Sequence, residues 1–356
     1  MIESKPLLPV FDGHNDSLLH FCSEDRSKRR PFLIESRDGH IDLPRAQRGG
    51  MAGGLFAIFV PNPNKPKESN PVSPLKMSEG SFADAIDPVY AREFAGRIME
   101  DLNTLVTESK GQAEIVGTID ELEKCFSSKV LAMVPHFEGA EPIDRDLKTL
   151  PALYKAGLRS IGITWSRPNA FGHGVPFKFP SSPDTGPGLT DPGKELVKMC
   201  NGLGILLDLS HISEKGFWDV ARTSEAPLVA THSCVHALCP SSRNLTDKQL
   251  DAIGETDGVV GVNFALCFLR VDGKVEDAPL TEIVRHVDYM VERIGIDHVA
   301  FGSDFDGAKV PAELGDVAGL PKLVSAFREQ GYDEDALAKL THKNWLRVLR
   351  TTWRNT

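Results

Sequence analysis

Short runs of consecutive apolar residues alternate along this chain with stretches whose apolar positions recur every three or four residues. The runs read as strands at 7–12, 54–60, 130–137, 159–164, 205–210, 228–231, 259–264 and 298–302. Several are apolar at successive positions, the pattern of a parallel strand covered on both faces. The stretches between them read as amphipathic helices. Val89, Tyr90, Phe94, Ile98, Leu102 and Leu105 repeat at helical spacing behind Asp87-Pro88, a capping residue before a first-turn proline. Thr118 with Glu121, and Thr246 with Gln249, have the spacing of capping boxes. Ile283, Val284, Val287, Met290, Val291 and Ile294 make a further stripe, stopped by Gly295.

Strands separated by crossover helices predict an α/β fold, a (β/α)8 TIM-like barrel rather than an open sheet. Two segments break the rhythm, 62–84 and 166–191, both rich in Pro, Ser and Gly. Long irregular stretches of this kind in one domain are ordinarily functional loops. No repeat, low-complexity tract or linker divides the chain, so residues 1–356 are read as a single domain. The last helices, near 320–327 and 334–350, are expected on the outside of the barrel.

Composition narrows the classes. With 356 residues, 41% hydrophobic and 25% charged, the chain has the make-up of a soluble globular protein. A net charge of −10 leaves no basic footprint for nucleic acid or an acidic lipid surface. The longest apolar run, 51–60, is far below the roughly 18 residues of a membrane span. The first residues, MIESKPLLPVFDGHND, carry no charged region followed by an apolar stretch, so no secretory signal is expected. Six scattered cysteines without a CxxC pair argue against a disulfide scaffold or a finger-type zinc site. Reduced, buried thiols in a cytoplasmic protein are expected instead.

The chemistry lies where the strands end. The runs finish at Asp12-Gly13-His14-Asn15-Asp16, His136-Phe137-Glu138-Gly139, Asp208-Leu209-Ser210-His211, Thr231-His232-Ser233 and Gly302-Ser303-Asp304-Phe305-Asp306-Gly307. In a (β/α)8 barrel all carboxyl-terminal strand ends face one mouth. A lone histidine there is ordinarily a hydrogen-bonded structural residue, and Asp before Gly an ordinary turn residue. The combination on separate strand ends carries the signal. Imidazoles and carboxylates without thiolates suit zinc or manganese. In His14-x-Asp16 both side chains share a face. Five such residues exceed the needs of one tetrahedral ion but suit two ions sharing a carboxylate. No HExxH helix, P-loop, GxGxxG or GxSxG competes. A nucleophile–base pairing of Ser233 or Cys234 with His232 is poor, since adjacent strand residues point to opposite faces.

These residues, with HFEGAEPI, LRSIGITWSRPN, LLDLSHIS, ATHSCVHAL, SRNLTDKQLDAI and GYDEDALAKLTHKNWLRVLR, give the sequence its resemblance to a known family. It resembles the membrane (renal) dipeptidases, zinc dipeptidases of peptidase family M19, and is similar to a soluble bacterial-type member. The resemblance covers nearly the whole chain and implies a barrel of the metal-dependent hydrolase type. It implies that His14 and Asp16 hold one metal ion, that His211 and His232 hold a second, and that Glu138 bridges them. Asp304 is similar to the family's acid/base, and Arg243 to the arginine that takes the substrate's free carboxylate. Two divalent ions roughly 3.5–4 Å apart would acidify a shared water to give hydroxide and polarise the scissile carbonyl. Asp304 would accept the water's proton and return it to the leaving amine. Arg243 offers a planar fork for a carboxylate, against the plainer reading of an arginine beside the helix start at Thr246.

One position departs. Animal members carry His where this chain has Trp165 after Thr164. An indole N–H only donates, so either that substrate contact is lost or His173 reaches in from the following loop. No apolar carboxyl-terminal tail implies the animal enzymes' lipid anchor. The Asn244-Leu245-Thr246 sequon means little without an export signal. The expected protein is a cytoplasmic, homodimeric dipeptidase with two divalent ions, zinc first. It would act on small dipeptides, L-Xaa-D-Xaa among them, with no nucleic-acid or membrane partner. The alternatives are a lactonase or deaminase on the same two-metal rim, needing no carboxylate fork, and a silent barrel, against which the full residue set argues.

Overall fold

Residues 7–23, 26–63 and 83–353, the part described by the computed structural model, contain nine strands in one parallel sheet. They are β1 Val10–Asn15, β2 Met51–Phe59, β3 Ala113–Ile115, β4 Leu131–Glu138, β5 Ser160–Gly162, β6 Leu206–Asp208, β7 Val229–Ser233, β8 Val259–Val262 and β9 Val299–Phe301. The order is β1-β2-β4-β5-β6-β7-β8-β9, with β3 paired to the start of β4. Beyond β9 the sheet closes on itself, where Asn15 bridges Phe305. The Asp304 N–H donates to the His14 carbonyl at 3.0 Å and the Asp16 N–H to the Phe305 carbonyl at 2.8 Å. This is the predicted (β/α)8 barrel with one extra strand. The segment Ala113–Ile115 is too short to give a readable apolar run.

The helices start where their caps say. Asp87 accepts from the N–H groups of Val89 and Tyr90 to open Pro88–Glu108, and Thr118 with Glu121 closes a reciprocal box on Ile119–Ser128. The helix Thr281–Ile294 buries Ile283, Val284, Val287 and Met290 against the sheet and stops at Gly295, φ 88. All but the ends of the irregular segment 62–84 lies outside the described residues. The other, 166–191, is irregular as predicted and is pinned by bridges from Pro168 to His173 and from Gly174 to Ile212. All six cysteines are buried and unpaired. Among the described residues no helix is long and apolar enough to cross a membrane.

Two differences from the sequence reading matter for the site. β1 and β7 continue to Asn15 and Ser233, because Asn15 still pairs with Phe56 and Ser233 with Val262. His14 and His232 therefore sit inside strands, which fixes their direction more firmly than a loop would. The second difference is a correction. The final helix, Asn344–Thr352, does not lie on the barrel's outside. Trp345 packs beneath the barrel against Phe11, in one buried cluster with Leu55, Val134, Leu206 and Val259, and its Nε1 donates to the Phe301 carbonyl at 2.9 Å. A Cβ on Gly13 would come within 2.3 Å of the Trp345 ring, so only glycine fits there. The base is plugged by an aromatic residue and the polar chemistry is left to the opposite mouth.

Candidate metal centre

Five strands deliver the polar side chains to one point. His14 Nε2 lies 3.4 Å from Asp16 Oδ2 and 3.8 Å from Glu138 Oε1. Glu138 Oε1 is also 3.2 Å from His211 Nε2 and 3.7 Å from His232 Nε2. The two Nε2 atoms of His211 and His232 face each other at 3.0 Å, and the His14 and His232 rings stack at 3.7 Å. Asp304 completes the set. Ligand atoms of His14, Glu138 and His232 lie within 4.8 Å of one another, as do those of His14, Asp16 and Asp304. Asp304, assigned from resemblance as acid/base rather than ligand, thus stands within ligand reach. All six side chains are buried or nearly so.

The histidine side is organised by hydroxyls. The Thr231 hydroxyl lies 2.7 Å from Asp208 Oδ2 and 2.8 Å from His232 Nδ1. Its single proton goes to the carboxylate, so it accepts from Nδ1–H and leaves the Nε2 lone pair aimed at the cluster. His211 Nδ1 lies 2.8 Å from the Ser166 hydroxyl, a partner of the same kind. His211 itself adopts φ 63, a left-handed conformation uncommon outside glycine. Burial pushes both rings well below the ordinary imidazole range, and the cations Arg243 and His14 add to it. Both are neutral donors.

The opposite side is anionic. Burial, reinforced by the neighbouring Asp16 charge, pushes the Asp304 carboxyl up to about 7, and Glu138 is raised well above its usual range for the same reasons. Burial alone would lower His14, but Glu138, Asp16 and Asp304 outweigh it and hold that imidazole at about 10. Three carboxylates around one ring demand positive charge. Among the described residues neither ring nitrogen of His14 makes a well-formed hydrogen bond, Asp16 standing 3.4 Å from Nε2. Unpartnered buried nitrogens, inward-aimed lone pairs and converging carboxylates are the donor set of a divalent cation, and the residues fit one.

Arg243 flanks this cluster. Its Nη1 donates to Ser233 Oγ at 2.9 Å and its Nη2 to the His232 carbonyl at 2.7 Å, while the buried Nε has no partner among the described residues. The guanidinium lies over Phe268, 5.7 Å from its centroid. Trp165 stands beside His211, ring centroids 5.9 Å apart, in a wall with Phe59 and Phe177. His173 is half-buried opposite Pro168, and no contact with the cluster is found for it among the described residues.

Several residues of the mouth were given no role by the sequence, although Asp208 and Thr231 were placed at its strand ends. Thr231, Ser166 and Asp208 orient the imidazoles, and Asn263 donates to Asp304 Oδ2 at 2.9 Å. The Thr231-His232 neighbourhood was a usable signal, since a hydroxyl next to a candidate ligand suggests a tautomer lock. Ser166 and Asn263 gave none, being brought in by tertiary structure. The buried Arg167–Glu141 pair, 2.6 Å, beneath Trp165 and Phe59 was also missed.

The family model for membrane dipeptidase, peptidase family M19, matches residues 5–355. A Klebsiella pneumoniae protein, described as an uncharacterized protein in the pqqA 5' region, is 54% identical over 253 residues, 71% of this chain and 93% of its own. A metallopeptidase from Rhodobacter sphaeroides, liganded with a phosphinate mimic of the dipeptide L-Ala-D-Ala, superposes with a TM-score of 0.92 at 45% identity. That alignment covers 98% of this chain and 100% of the other. The structure of the dipeptidase AC, a metallopeptidase of family M19, gives 0.91 at 45% identity over 98% and 99% of the two chains. The chain belongs to the membrane dipeptidase family, peptidase family M19, and is a metal-dependent dipeptidase.

Proposed function

We propose that this enzyme hydrolyses small dipeptides, L-Xaa-D-Xaa among them, with His14 and Asp16 holding one divalent ion, His211 and His232 a second, and Glu138 shared between them. The observation that carries the reading is the convergence of these five side chains on a point beside Asp304, with the free edge of Arg243 close by. Divalent ions there, zinc first, would acidify a water and polarise the scissile carbonyl.

The remaining chemistry belongs to the chain. Arg243, fixed by Ser233 and the His232 carbonyl, presents its Nε–H edge to the substrate's terminal carboxylate. Asp304 accepts the proton of the attacking water as oxygen adds to the carbonyl carbon. It then delivers that proton to the amine as the C–N bond breaks. A carboxyl raised to about 7 by burial sits near neutrality, and bound cations would pull it down toward the base form. Asn263 occupies Oδ2, which favours proton transfer at the other oxygen. Trp165 and Phe177 wall the His211 side, where an indole stands in place of the animal members' histidine, and either that substrate contact is lost or His173 supplies it from the loop. The proposal extends to a cytoplasmic homodimer, which sedimentation and cell fractionation check.

The test is hydrolysis of a panel of L,L- and L,D-dipeptides with added zinc or manganese, then with chelator. Turnover that stops on chelation and returns with metal is expected. Arg243→Ala should raise KM about tenfold or more for free dipeptides, the worth of a charged hydrogen bond, and much less for dipeptide amides. An unchanged KM would favour a substrate without a carboxylate, as for a lactonase.

A further inference from the structure

We propose that Arg30 and His40, both on the connection between β1 and β2, are positioning residues for Asp304, and that they act by gripping Asp306 in the turn that carries it. The inference rests on the acid/base role given to Asp304 above.

Asp304 has φ 60 and Asp306 φ 68, a left-handed conformation that aspartate tolerates better than most residues but that still costs more than right-handed backbone. Backbone bonds tie the turn to β1, from the Asp304 N–H to the His14 carbonyl and from the Asp16 N–H to the Phe305 carbonyl, and the contacts on Asp306 come from one further segment. Arg30 Nη1 donates to Asp306 Oδ1 at 2.9 Å and Nη2 donates to Oδ2, a two-pronged pair with side chains only 7% and 1% exposed. The His40 backbone N–H donates to the same carboxylate at 2.7 Å, and the Asp306 N–H donates back to His40 Nδ1 at 2.8 Å. Arg30 is fixed in turn: its N–H reaches the His20 carbonyl at 3.0 Å, its Nη2 the Ile41 carbonyl at 3.0 Å, and its guanidinium covers Phe21. Gly39 leaves room for all of this. A Cβ there would fall 1.5 Å from Arg30 Nη1 and 2.6 Å from Asp306 Oδ1.

The link to Asp304 is short. Its carboxylate has Asn263 on one oxygen, and its direction is otherwise set by the backbone of the turn. A Cβ at Gly307 would lie 2.4 Å from Asp304 Oδ1 and 2.0 Å from Asp16 Oδ2, so the turn also wraps the two carboxylates closely. Releasing Asp306 frees the turn to relax toward right-handed backbone, which swings Asp304 away from the reacting atoms. A displacement near 1 Å costs up to about 100-fold in rate.

The experiment uses the full-length, metal-loaded enzyme with Arg30→Met, Arg30→Lys, Asp306→Asn and Gly39→Ala, and reads kcat, KM, metal per chain and Tm with L-Ala-D-Ala. In Arg30→Met, Asp306→Asn and Gly39→Ala, kcat is expected to fall about 10- to 100-fold, with KM and metal content nearly unchanged. Arg30→Lys, which keeps the charge but loses the fork, should fall between these and the parent. Should one variant not fold, the others decide. A lowered Tm with kcat within about twofold of the parent would overturn the proposal, since a merely structural clamp gives that result. Metal lost in step with kcat would overturn it too. Asp304→Asn separates the two levels: full activity there defeats the underlying reading, whereas an inactive Asp304→Asn beside a normal Arg30→Met defeats this inference alone.

Discussion

On the β6–β7 side of the candidate metal centre stand neutral rings steered by hydroxyls, while on the β9–β1 side carboxylates crowd around a single imidazole. The first side is complete as it stands: each ring's second nitrogen has a partner, and its lone pair already points inward. The second side is not. Asp16, Glu138 and Asp304 outweigh burial at His14 and draw a proton onto it, so that ring does the work of a cation. A ready-made neutral half and a charge-hungry half make a site whose shape is set by the fold and where electrostatics would drive the binding of a cation.

Glu138 belongs to both halves, so its loss has the largest expected effect. Glu138→Gln keeps the volume and removes the charge that stands within 4 Å of His14, His211 and His232. Metal affinity should fall by more than the roughly 10–100-fold that a supporting residue costs. Hydrolysis should drop to assay background, read together with metal per chain by elemental analysis. Retained metal and rate would mean that the two halves work independently.

Asp304→Asn probes the anionic half alone. The expected loss is about 10²- to 10⁴-fold in kcat, the usual worth of a general acid or base, with metal content kept. Parallel loss of metal would move Asp304 from acid/base to ligand, the role its place beside His14 and Asp16 also permits.

Thr231→Val probes the neutral half. The substitution is close to isosteric but removes the hydroxyl that joins Asp208 to His232 Nδ1. Competition with a chelator should show metal affinity reduced about 10- to 100-fold, while turnover at saturating metal stays close to the parent. An unchanged affinity would mean that strand geometry alone aims the ring.

The same contrast explains what the sequence made legible. The barrel and its mouth were readable because apolar runs and caps such as Asp87 and Thr118 are local signals. His14, Asp16, Glu138, His211, His232 and Asp304 were readable because they end such runs. Trp345 was assigned to a helix on the outside, since its apolar stripe says that it is buried but not against what. Ser166, Asn263 and Arg30 meet the centre only after the chain has closed, across 45, 41 and 276 positions respectively from His211, Asp304 and Asp306. Periodicity carries no record of such pairings.

A buried neutral histidine outside the centre separates loss of fold from loss of metal. His286 donates from Nε2 to the Leu269 carbonyl at 2.9 Å and accepts at Nδ1 from the Val235 N–H at 3.1 Å, so only the neutral ring satisfies both contacts. Burial lowers it from 6.5 to about 4. Unfolded chains therefore bind the proton first, and stability present above pH 6.5 is lost as pH falls toward 4. The loss for this group is about 3 kcal/mol. Urea titrations at pH 7 and pH 4.5 with chelator present should show that decline. In His286→Gln the chain should be less stable at pH 7 by about 1–3 kcal/mol, from the strained or lost hydrogen bonds, and should decline less on acidification. Equal acid sensitivity in parent and variant would place the acid-sensitive group elsewhere, among the other imidazoles that burial holds low: His136, His342, His40 or the His211 and His232 rings of the centre.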